Sequence, residues 1–162
     1  MTDSDQRARS GGFVRGVRLG VDVGRVRVGV AISDPDGILA SPLATLARDQ
    51  NAGEGAVPSD ISEVARLVDV HASVEVVVGL PVTLAGDEGP AAAEARAYAD
   101  RLAGAIAPVP VRLADERMST VVATRRLSER GVRGRRQRAV VDQVAATEIL
   151  QSWLERQRRR TG

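Results

Sequence analysis

The feature that most constrains this chain is a run of two-residue alternation over residues 17–33, interrupted once. Val17, Leu19, Val21 and Val23 fall on one side of an extended segment, and Arg18, Gly20 and Asp22 on the other. After Gly24-Arg25 the apolar side resumes with Val26, Val28, Val30 and Ile32, opposite Arg27, Gly29, Ala31 and Ser33. A helix cannot gather these residues onto one face, whereas two strands joined at Gly24-Arg25 form a hairpin with a continuous aliphatic side. Asp34-Pro35-Asp36-Gly37 is a strong turn, and residues 38–46 read as a third strand.

The pattern then changes. Residues 47–58 read as a loop and 59–71 as a helix with Ser59 or Asp60 near its N-cap. Residues 74–80 are nearly all apolar and β-branched, as a strand covered on both faces requires. A helix is expected from Gly89-Pro90 to about Ala107, then a fifth strand at 109–113. A further helix is expected at 119–130, ended by Gly131, and a last one at 138–156. The order βββαβαβα implies an α/β fold: a five-stranded mixed sheet with helices on both faces.

At 162 residues the chain holds one domain with a core, and its 2% aromatic content makes that core aliphatic. The absence of cysteine excludes disulfides, thiolate zinc sites and a cysteine nucleophile, and the single histidine, His71, excludes a multi-histidine metal site. His71 is expected at a helix end. No apolar run approaches the roughly 20 residues of a spanning helix, and the polar start lacks a signal peptide's apolar middle, so a cytoplasmic protein without membrane contact is expected. Residues 1–15 read as a disordered tail, 16–156 as the folded domain and 157–162 as a basic tail.

All 23 basic residues are arginine. Residues 1–111 carry 10 of them against 15 acids, and residues 112–162 carry 13 against 6. A basic segment inside a nearly neutral protein fits a polyanionic partner, although arginine runs are also ordinary solvated faces.

Three acids stand apart. Asp22 lies inside a strand, where carboxylates are depleted, on the face it shares with Gly20, Gly29 and Ala31, so a substrate backbone can come close. Its bland alternative is a structural bond to the turn at Gly24. Glu116 follows the fifth strand, at the strand ends where ligands gather in α/β sheets; the alternative is a surface ion pair with Arg117. Asp142 shares a helical face with Ala145, Ala146, Ile149 and Trp153, the stripe that should pack on the sheet. A carboxylate there needs a cation, a positive side chain or donors, and the alternative is a first-turn Asp facing the positive helix end with Arg138 as partner.

Together these acids suit Mg²⁺ or Mn²⁺, which favour carboxylates, water and phosphate oxygens; a pair of such ions clamps an in-line phosphoryl displacement. Between Thr124 and Val140 stand Arg125, Arg126, Arg130, Arg133, Arg135, Arg136 and Arg138 against one acid, Glu129. Arginine grips phosphate bidentately, and Gly131 and Gly134 give the basic loop freedom to move. The scarcity of aromatics argues against base stacking as the main mode of recognition.

The stretches LGVDVGRVRVGVAISDPDG (19–37), VVVGLP (76–81), GDEGPAAAEARAYADRL (86–102), LADERMST (113–120) and VVDQVAATEILQSWLE (140–155) resemble, in order, the YqgF family. These are RNase H-like proteins described as Holliday junction resolvases or pre-16S rRNA nucleases. The resemblance implies an RNase H-like sheet whose first three strands are antiparallel. It also implies that Asp22, Glu116 and Asp142 are the acidic triad holding two divalent ions. Where the family usually has a small polar residue followed by Lys, this chain has Arg25-Val26, so a phosphate contact at position 26 would pass to Arg25 or Arg27. With Arg133, Arg135, Arg136 and Arg138 these make the expected nucleic-acid surface. The implied activity is metal-dependent endonucleolytic cleavage of precursor 16S rRNA or of branched DNA, by a monomer or a homodimer. Two other classes compete: a non-catalytic RNA-binding or ribosome-assembly factor, and an actin-like nucleotide-binding fold, which would need a second lobe that 162 residues do not supply.

Overall fold

The alternation of residues 17–33 folds as the expected hairpin, β1 (Arg18–Val23) and β2 (Arg27–Ser33), closed by the Gly24 N–H donating to the Arg27 carbonyl at 2.9 Å. A computed structural model describes residues 13–118 and 135–161, with side chains for 13–117 and 141–160. The remaining elements are β3 (Ala40–Ala47), α1 (Ser59–Val70), β4 (Glu75–Leu80), α2 (Pro90–Ile106), β5 (Val111–Asp115), a 3₁₀ turn (Glu116–Met118) and α3 (Arg135–Thr161). The sheet order is β3-β2-β1-β4-β5. β1 pairs antiparallel with β2, and β2 with β3, while β4 joins β1 and β5 in parallel, giving the mixed five-stranded sheet that the sequence implies.

Helices cover both faces, and strand alternation decides what each meets. Leu19, Val21, Val28, Val30, Val76 and Val78 pack with Ile61, Val64 and Leu67 of α1 and with Tyr98 and Leu102 of α2. The intervening residues Ala31, Val77 and Ala114 face α3 through Ala145, Ala146, Ile149, Leu150 and Trp153. α3 comes unusually near because the sheet is bare beneath it: a Cβ on Gly20 would lie 2.7 Å from Leu150 Cβ and 3.0 Å from the Ala146 carbonyl.

Several boundaries differ from expectation. β3 begins at Ala40 rather than 38, because the Asp34 carboxylate accepts the Ile38 and Leu39 N–H groups at 2.8 and 2.7 Å and takes them out of the ladder. Burial opposes ionisation of Asp34, but the backbone donors outweigh it and hold its carboxyl below the ordinary range. α1 opens at Ser59, next to its N-cap as expected; Pro58 stands at the cap itself, and Asp49 accepts the Ser59 N–H at 2.9 Å while Asp60, buried, accepts the Asp49 N–H at 3.2 Å. His71 does end this helix, its N–H bonded to the Leu67 carbonyl.

β5 runs over Val111–Asp115 rather than 109–113. Pro108 and Pro110 carry no N–H to enter a ladder, and Asp115 is drawn into the strand. α3 is longer at both ends than the expected 138–156, and its helical backbone continues through residues 157–161. Its last turns dock on the β2–β3 connection, where Arg158 Nη1 donates to the Gly37 carbonyl at 2.7 Å and Gln151 Oε1 accepts the Ala40 N–H at 2.8 Å. The helix expected at 119–130 lies outside the described residues.

Candidate active site

Asp22 is the last inward residue of β1 on the α3 face and is 2% exposed. Directly across the ladder stands Gly29. On the other side of β1, Val21 pairs with Val78, so Gly79 occupies the next position along β4. The two neighbours of Asp22 thus have no side chains, and an acid leans over each. A Cβ on Gly29 would run into the Asp142 carbonyl and lie 3.3 Å from Asp142 Cβ, while one on Gly79 would lie 2.9 Å from Glu116 Oε1. Glu116, 5% exposed, is placed by the 3₁₀ turn that opens where β5 ends. The fold therefore brings Asp22, Glu116 and Asp142 from three distant stretches to one end of the sheet, around a floor of two glycines.

Charge around the acids is arranged differently from the local guesses. One partner of Asp142 is Arg27, whose Nε donates to Asp142 Oδ2 at 2.8 Å with the side chains 24% and 14% exposed. The side chain of Arg138 is outside the described residues. Because α3 starts at Arg135, Asp142 sits beyond the first turn, where the helix dipole has faded. Arg117 pairs with Asp115 rather than with Glu116, its Nη2 2.6 Å from Asp115 Oδ2, and the Arg117 side chain holds the Asp115 carboxyl below its ordinary range. Arg117 Nη1 also reaches the Leu84 carbonyl at 3.4 Å, tying the β4–α2 loop to the rim of the site.

Arg27 thus supplies the positive side chain that a carboxylate on this apolar stripe requires. Asp142→Asn keeps the volume but gives up the ion pair. In EDTA it is expected to melt lower than the parent by the equivalent of about 1 kcal/mol, between the usual worth of exposed and buried pairs. Thermal melts in EDTA check this; a variant melting at or above the parent would mean that the Arg27 pair adds nothing to stability.

The donor set fits a hard divalent cation in type: three carboxylates, two of them almost wholly withdrawn from solvent. Among the described residues no three acidic or histidine side chains are grouped tightly enough to hold a metal ion as they stand. The Arg27 bond shows what would have to give way at Asp142.

Of the expected phosphate contacts, Arg25 is exposed on the β1–β2 turn and Arg27 is engaged by Asp142. Arg133 lies outside the described residues; the backbones of Arg135, Arg136 and Arg138 belong to the first turns of α3, and their side chains are outside. Sequence reasoning missed Arg27 as the counter-ion of Asp142 and Gly79 as part of the floor. For Gly79 a signal existed, since it has the parity of Val77 and so faces α3.

The model of the family described as RuvX: Holliday junction resolvase matches residues 16–156. The chain belongs to that family. Within reach of the RuvX family match, a relative from Mycobacterium sp. (strain KMS), named "Putative pre-16S rRNA nuclease", is 54% identical over 162 residues, covering 98% of this chain and 93% of the relative. One of the same name from Rhodococcus erythropolis (strain PR4 / NBRC 100887) is 52% identical over 145 residues, covering 90% and 81%. Among solved structures, T. thermophilus RuvC in complex with Holliday junction substrate superposes with a TM-score of 0.53 at 14% identity, covering 90% of this chain and 97% of that one. At that identity the likeness shows the fold alone, and it agrees with the RNase H-like sheet expected of the RuvX family. Among the described residues no helix is long and apolar enough to cross a membrane.

Proposed function

We propose that residues 16–156 form a metal-dependent endonuclease domain that hydrolyses phosphodiester bonds of structured nucleic acid in the cytoplasm. The observation that carries this reading is the convergence of Asp22, Glu116 and Asp142 around Gly29 and Gly79, in a chain of the RuvX family. Asp22, Glu116 and Asp142 would hold two Mg²⁺ or Mn²⁺ ions. Such ions, when bound, neutralise charge on a scissile phosphate and lower the pKa of a bound water. The chain's own task is placement: the buried strand carboxylate Asp22 fixes the centre, and Glu116 and Asp142 flank it from the 3₁₀ turn and α3. The two glycines let α3 and Glu116 come close enough to flank Asp22. Arg25 and Arg27 would meet the phosphates nearest the cut, and Arg133, Arg135, Arg136 and Arg138 those farther along.

Incubation with precursor 16S rRNA and with a four-way DNA junction, each in Mg²⁺, Mn²⁺ or EDTA, tests the activity and chooses the substrate. Cleavage of neither with metal present would favour a non-catalytic RNA-binding factor. A junction resolvase makes two symmetric cuts and so calls for a homodimer, whereas a monomer suffices for rRNA trimming, so a mass measurement in solution separates the two. Replacing Arg135, Arg136 and Arg138 with Gln is expected to weaken binding alike on all sequences and to flatten its salt dependence by at most about one unit of slope per lost phosphate contact. Binding curves at several salt concentrations read this; an unchanged slope assigns the three arginines to a solvated face.

A further inference from the structure

Arg27 occupies the place that an ion at Asp142 would have to contest. It opens β2 with Ala47 as its ladder partner, and its carbonyl closes the Gly24 turn, so its backbone is anchored on both sides. Its side chain falls on the α3 face, two residues before Gly29, and its Nε meets Asp142 Oδ2 at 2.8 Å. A guanidinium held on the Asp142 carboxylate and a divalent ion coordinated by it compete for the same negative charge, and the two positive charges repel.

We propose that Arg27 is a resident counter-cation of the acidic site: it holds Asp142 until a divalent ion displaces it, and the freed guanidinium then turns to the substrate phosphate. The inference rests on reading the three acids as a metal site. Arg27 is thereby a positioning residue with two anionic partners used in turn, the Asp142 carboxylate and a phosphate, both matched to its planar fork. Holding Asp142 lowers the apparent affinity for metal by the fraction of time that the carboxylate is free. A pair engaged nine-tenths of the time weakens ion binding about tenfold. By linkage, a nucleic-acid phosphate that captures Arg27 tightens metal binding, and metal tightens nucleic-acid binding through the same residue.

The test is Mn²⁺ titration of the full chain, without nucleic acid, followed by the electron paramagnetic resonance signal of free Mn²⁺. Arg27→Gln is expected to bind Mn²⁺ about tenfold tighter than the parent, with Arg27→Lys between them because it keeps the charge without the fork. Equal or weaker binding by Arg27→Gln, with binding by the parent intact, overturns the inference alone. Binding by neither protein removes the metal reading and the inference with it. A second measurement needs no variant: the Arg27 Nε–H resonance of the parent should be protected from exchange without metal and lose that protection on addition of Mg²⁺. A resonance unmoved at saturating Mg²⁺ overturns the inference, whether or not Arg27→Gln folds.

Discussion

Asp22→Asn is expected to abolish cleavage, by about a thousandfold or more, while leaving the fold and nucleic-acid binding intact. A loss of that size corresponds to roughly 4 kcal/mol of transition-state stabilisation. The amide has nearly the volume of the carboxylate, so the packing between Gly29 and Gly79 is undisturbed; what disappears is the formal charge that a hard cation requires of its central ligand. Asp22 is 2% exposed, and because the amide keeps the side chain's volume in that buried position the variant should remain folded in EDTA, which a thermal melt checks. Single-turnover cleavage in Mn²⁺, beside binding to the same substrate in EDTA, separates chemistry from affinity. A purified variant that cuts at the parent's rate would end the metal-dependent reading.

The parts of this architecture legible in the sequence are those written in short-range periodicity. Alternation over 17–33 gave the hairpin and assigned Asp22, Gly29 and Ala31 to one face, and the helical stripe of Ala145, Ala146 and Ile149 placed Asp142 against the sheet. What local rules missed was decided by contacts between distant residues. The alternative reading of Asp142 looked one turn away to Arg138, whose side chain is outside the described residues, while the described ion pair is with Arg27, 115 residues distant. The cap of α1 comes from Asp49 across a loop, and the start of β3 is delayed by side-chain acceptance at Asp34, a turn recognised as a turn but not as a competitor for strand N–H groups. Glu116 was found through its place after a strand, although that strand ends two residues later than expected, and this shift is what leaves Arg117 to Asp115.

Gly29→Ala is expected to be the most damaging single methyl that could be added near the site. The new Cβ would strike the Asp142 carbonyl, which is helix backbone and cannot rotate aside as a side-chain tip does. Either α3 rides up from the sheet, opening the packing of Ala145, Ala146 and Ile149, or β2 bends away from its ladder partners. Overpacking of this kind costs about 3 kcal/mol, and for a chain of this size each kcal/mol lowers the melting temperature by roughly 2–4 °C. Because Asp142 sits on the displaced turn, cleavage should fall together with stability. Gly79→Ala provides the contrast: its Cβ would meet Ile149 Cδ1 at 2.6 Å and Glu116 Oε1 at 2.9 Å, both at the ends of rotatable side chains. That variant should lose about 1 kcal/mol or less, since flexible ends yield, yet lose most of its cleavage because the end that yields is a carboxylate of the site. Melting curves and cleavage rates of the two variants place them at opposite corners, one failing through the helix and the other through the acid. A Gly29→Ala protein melting with the parent would mean that α3 does not lie against the sheet at Asp142, and the convergence of the three acids would go with it.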